Sequence, residues 1–77
     1  MNRWLQLMLL MPEDEVITYK ELSEELGISV RTVYDDIIRL NEMMLEHGAQ
    51  LVARPHHGVT LDVHDRARFL RFLDALG

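Results

Sequence analysis

The stretch TYKELSEELGISVRTVYDDIIRLNEMML, Thr18–Leu45, decides the reading of this chain. Thr18-x-x-Glu21 has the form of a capping box, in which the Thr18 hydroxyl accepts from the Glu21 N–H and the Glu21 carboxylate reaches back to Thr18. Ile17 before the cap and Leu22 at the fourth helical position are placed for a hydrophobic staple. Gly27 follows Leu26 as a helix stop, and only Ile28 separates it from Ser29, a good N-cap for a second helix. In that helix Val30, Val33, Ile37, Leu40 and Met44 recur at steps of three and four, which predicts one buried stripe. Arg31, Thr32, Asp35, Asp36 and Arg39 are left for the outer face.

A short capped helix, a glycine turn and a longer helix with a polar outer face make a helix-turn-helix. The plain alternative is a helical pair serving only as scaffold, which the spacing by itself does not separate from a DNA reader.

Working outward, Asn2 to Met11 reads as a first helix with apolar residues on more than one face. Pro12 and the run Glu13-Asp14-Glu15 close it, and Val16-Ile17 is a β-prone pair able to form a short strand. Past Leu45, His47-Gly48 is a helix stop. Gln50–Arg54 and Val59–Val63 then alternate as strands around the turn Pro55-His56-His57-Gly58. Asp65 to Leu76 returns to helical spacing, with Phe69, Phe72, Leu73 and Leu76 on one stripe. The expected fold is mainly α with a small β-hairpin. It is a winged helix-turn-helix, with a three-helix core, a two- to three-stranded wing sheet and an extra C-terminal helix, all in one domain over residues 1–77. Residues 64–77 are expected to serve as a linker or dimerisation helix.

Composition narrows the function. Seventy-seven residues with 48% hydrophobic content supply one core. No cysteine is present, so disulfides and thiolate metal sites are excluded. The first helix is too short to span a bilayer and carries no signal-peptide pattern, so a cytoplasmic protein without membrane contact is expected. The net charge of −5 opposes phosphate binding, although net charge does not describe its distribution. Adjacent His56 and His57 splay their rings and lack a completing ligand pattern, so they read as turn residues rather than a metal site. No nucleophile–base constellation or phosphate loop is present, so neither catalysis nor a cofactor is expected.

The run Leu22-Ser-x-x-Leu-Gly-Ile-Ser-x-Arg-Thr-Val33, followed by Asp36-Ile37-x-x-Leu40-Asn41 and by Gly58-Val59-x-Leu61, resembles the DeoR-like winged helices of bacterial transcription regulators. In particular it is similar to the N-terminal module of mannitol- and lichenan-operon regulators that carry phosphotransferase-system regulation domains. The resemblance runs from about Arg3 to the last helix. It implies double-stranded DNA as partner, a sugar-uptake operon as target and C-terminal regulatory domains in a longer parent chain. It also implies that the helix opening at Ser29 enters the major groove and that Pro55–Gly58 is the wing. Carried over position by position, the DNA-binding candidates are Thr18, Ser29, Arg31, Thr32, Tyr34, Asp35, Arg39, Arg54, His56 and His57. Tyr34 and Asp35 depart from the pattern, standing where many relatives place a basic residue.

Arg31 with Asp35, and Asp35 with Arg39, are also i,i+4 pairs, the structural alternative to base contacts. A homodimer is expected, through Trp4, Leu7 and Met11 of the first helix or through the stripe of the last. The competing function class is a winged-helix protein-interaction or dimerisation module without strong DNA binding. RNA binding is disfavoured, because the sheet lacks stacking aromatics.

Overall fold

Helices α1 (Arg3–Leu10), α2 (Tyr19–Leu26), α3 (Val30–Met44) and α4 (Arg66–Leu76) surround a hairpin of β1 (Ala49–Arg54) and β2 (Gly58–Val63). These elements come from a computed structural model that describes residues 3–76. Asn2, expected to open the first helix, lies outside the described residues. The order is the expected one, and the fold is mainly helical with an antiparallel two-stranded wing.

Local chemistry sets the helix ends. The Thr18 hydroxyl accepts from the Glu21 N–H at 3.0 Å, and a Glu21 carboxylate oxygen accepts from the Thr18 N–H at 3.4 Å. Gly27 closes α2 at φ 68°, a left-handed conformation that costs glycine nothing sterically. Ser29 then caps α3 by accepting from the Thr32 N–H at 3.1 Å. At the far end α3 tightens into a 3₁₀ turn, Leu45–His47, which Gly48 closes.

The core gathers Leu7, Met8 and Met11 with Leu22, then Val33, Ile37, Leu40 and Met44 of α3. Ala49, Leu51, Val59 and Leu61 of the hairpin and Phe69 and Phe72 of α4 complete it. Two members of the expected α3 pattern are misplaced. Val30 is not in the core but 47% exposed, because the first turn of α3 projects past the elements that cover the rest of the stripe. Asp36 does not face out: it is 4% exposed, and Arg3 of α1 clasps it, with Nη2 donating to Oδ1 at 3.0 Å and Nε 2.7 Å from Oδ2. Leu7 and Met11, expected on a spare face of α1, are buried too, since α1 touches both α2 and α4.

The Arg3–Asp36 clasp predicts an asymmetry. Arg3 is half exposed and regains water easily when its partner goes, whereas Asp36 stripped of Arg3 is a carboxylate stranded in the core. Breaking a fully buried pair costs about 3–5 kcal/mol; half-exposure of Arg3 reduces that to about 1–2 kcal/mol for Arg3→Ala. Asp36→Leu should cost less, since an apolar replacement for a buried ion is often neutral. Urea melts of both variants check this, and a larger loss from Asp36→Leu would refute it.

The expected third strand is reduced to two single bridges. Ile17 exchanges both backbone hydrogen bonds with Val59, each 2.9 Å, and Glu13 bridges Leu61 in parallel. Val16-Ile17 cannot extend into a strand, because Asp14 turns the chain at φ 61° just before it and the Thr18 cap begins just after.

Arg66, at the first position of α4, makes a two-pronged contact with Glu13, at 2.9 and 2.8 Å. Those hydrogen bonds hold the Glu13 carboxyl below the ordinary carboxylate range and raise the Arg66 guanidinium further. A depressed folded-state value means that the contribution of the pair is complete above the ordinary range and is lost as pH falls through the lowered one. Both groups are open to solvent, so the contribution is small.

Candidate nucleic-acid interface

Three clusters emerge from the ten candidate residues. The first lines a groove of about 450 Å³ between the start of α2, the middle of α3 and the wing tip. Thr18, Tyr34, Arg54, His56 and His57 all line it, together with Tyr19, Lys20, Ala53, Pro55 and Gly58. Tyr19 and Tyr34 meet edge to face, with ring centroids 6.0 Å apart and planes at 69°. Partial burial, with a smaller contribution from Tyr34, pushes the Tyr19 phenol up, so it remains a neutral donor.

The wing tip is a tight turn. His57 N–H donates to the Arg54 carbonyl at 3.0 Å, Pro55 takes the second corner position and His56 the third at φ 67°. Proline followed by a positive φ is the pattern of a type II turn. All four residues from Arg54 to His57 are exposed. Arg54 also borders a shallow depression containing Asp14 and Asp62, which weakens its pull on a phosphate. Arg54→Ala should lower affinity for all sequences alike and flatten the salt dependence by about one contact. Titrations at several salt concentrations test it; a loss confined to one sequence class would show that the wing reads bases.

The second cluster is the first turn of α3. Ser29 and Thr32 hydroxyls lie 2.9 Å apart, so one of their two hydrogens is used between them and the other remains for a ligand. Arg31 is 82% exposed at its side chain, and its Nε sits 3.5 Å from Asp35 Oδ1. That pair is long, exposed and ordered unfavourably, with the cation nearer the helix N-terminus, so it is worth a few tenths of a kcal/mol at most.

The third cluster separates Arg39 from the rest. It borders a depression with Arg3, Trp4 and Asp36, on the flank of α3 that faces α1. Thr18 is also less available than its position suggests, since its hydroxyl donates to Glu21 Oε1 at 3.0 Å while accepting from the Glu21 N–H.

Sequence reasoning passed over Lys20. A signal was present: Lys20 and Arg31 each occupy the second position of a helix, where the macrodipole disfavours a cation. Departures from a local rule of this kind are expected at functional or strained positions. Arg3 and Arg66 are engaged by carboxylates, and Arg31 loosely by Asp35, whereas Lys20 and Arg54 both line the groove between α2, α3 and the wing.

Among the described residues no cluster of three or more His, Cys, Asp or Glu is placed to hold a metal. No described helix is long and apolar enough to cross a membrane. A family model described as an HTH domain matches residues 3–60, from the start of α1 into β2, and leaves α4 beyond it. No curated protein and no solved structure matches the chain. With the match covering well over half of its length and the capped helix pair at its centre, the chain belongs to the helix-turn-helix domain family of DNA-binding modules.

Proposed function

We propose that this chain is the sequence-specific DNA-binding module of a bacterial transcription regulator, of the DeoR-like type joined to phosphotransferase-system regulation domains. It acts in the cytoplasm on a sugar-uptake operon. One observation carries the reading: the start of α2, Tyr34 of α3 and the wing tip frame a single groove lined by Lys20 and Arg54. α3 enters the major groove, Arg31 and Thr32 touch base edges, and Lys20, Arg54, His56 and His57 meet the backbone. Ser29 donates to a phosphate beside the helix N-terminus. Tyr34 lines the groove and Asp35 pairs with Arg31, neither with a phosphate role, and Arg39 contributes at the margin.

Selection of bound duplexes from a random pool at low salt tests this. A repeatable motif is the expected result. A pool that stays random, with a protein partner captured instead, would favour an interaction module.

The working unit is a homodimer on two half-sites, because a module that neutralises few phosphates gains avidity by pairing. Leu7 and Met11 of the first seam and Phe69 and Phe72 of the α4 stripe are spent in the core, so a seam on α4 would use its outer side. Leu70 is 52% exposed, and a cleft of about 500 Å³ beside Phe72 and Leu76 is open. α4 then leads toward the regulatory domains. A covalently tethered pair should bind a two-half-site duplex far more tightly than the single chain; equal affinity would refute pairing.

A further inference from the structure

We infer that α3 reads the 5-methyl groups of thymine in the major groove, through Val30 and Ile38. The inference rests on the DNA-binding reading above and names what that site recognises. Val30, Tyr34 and Ile38 stand four residues apart, on one ridge of the helix. All three are exposed, at 47%, 45% and 43%. Single exposed apolar residues need no explanation, but three in register on the outer ridge of this helix do.

Their surroundings indicate the occupant. Arg31 shares the first turn with Val30, and Lys20 and Arg54 border the groove that Tyr34 lines. A protein partner that covered the ridge would have to bury or neutralise those cations. A duplex accepts them on its phosphates and still presents an apolar surface to the ridge. In the major groove the principal apolar feature is the thymine methyl, which a short aliphatic side chain contacts directly. Val30 suits that contact, because its branched side chain is held in one rotamer within a helix. Tyr34 is partly occupied by Tyr19, which leaves Val30 and Ile38 as the readers.

The experiment uses the duplex selected from the random pool, with each thymine replaced in turn by deoxyuridine. That change deletes one methyl and leaves every hydrogen-bonding group intact. At one or two positions affinity should fall about fourfold, the equivalent of one buried methyl at about 0.8 kcal/mol. Val30→Ala or Ile38→Ala should bind thymine and deoxyuridine equally at the matching position. Both side chains are exposed, so both variants should melt with the parent. Tight binding that ignores the methyl at every position would overturn this inference alone. An equal loss for both bases in the two variants would do the same. Absence of any bound duplex would overturn the DNA-binding reading and this inference together.

Discussion

Gly58→Ala should lower the melting temperature by about 8–48 °C and take DNA affinity with it. Gly58 sits at φ 129°, in a region that L side chains rarely occupy. An added Cβ would overlap the Ile17 carbonyl oxygen and lie 2.8 Å from its carbon and 3.0 Å from Thr18 Cα. Backbone strain of about 1–3 kcal/mol and overpacking of about 1–3 kcal/mol act together, so the loss is about 2–6 kcal/mol. In a domain of this size each kcal/mol is worth about 4–8 °C. The comparison that isolates the cause is Gly27→Ala. Gly27 shares a positive φ, but an added Cβ meets nothing within 4 Å, so only the conformational cost of about 1–2 kcal/mol remains. Thermal melts of the two variants should therefore rank Gly58→Ala well below Gly27→Ala. The reverse order would show that the base of the wing yields, and that its close approach to the α2 cap is not needed.

Arg31→Ala should reduce specific binding by about 1–3 kcal/mol, roughly 5- to 150-fold, with little change in stability. The exposed contact with Asp35 at 3.5 Å is worth less than a two-pronged contact with guanine, so giving it up for DNA is favourable. Asp35→Asn should accordingly leave affinity unchanged or raise it slightly. Discrimination at one base position should vanish in Arg31→Ala when binding is measured across operator variants. A uniform loss with a shallower salt slope would instead make Arg31 a phosphate contact.

The helix ends were legible in the sequence because capping is decided within three or four residues. Thr18 with Glu21, Gly27, and Ser29 with Thr32 need no distant partner to act as they do. The order of elements was equally open to reading, since the change of period at Gln50, one residue inside the observed start of β1, is sharp and Pro55 marks the turn. Asp36 was not. Its burial depends on Arg3, thirty-three residues away, and helical periodicity has no access to that pairing. Val30 failed for a related reason: periodicity gives the direction of a side chain but not how far along the helix the core extends. For the candidate interface the sequence proposes residues but not their grouping. Their division into a groove, a helix turn and an outlying Arg39 came only with the packing of α3 against α1 and the wing.

Helix α3, the proposed reading helix, is held from two flanks. Arg3 grips Asp36 on one side, and Tyr19 abuts Tyr34 on the other, within two consecutive turns of α3. A rod pinned in this way has little freedom to roll about its long axis. Presenting a different set of side chains to DNA would require breaking a buried ion pair or an aromatic contact. Under the proposed function, control of the operator therefore falls to the placement of whole modules, their spacing and relative orientation on the duplex, rather than to any reshaping of the face that α3 presents.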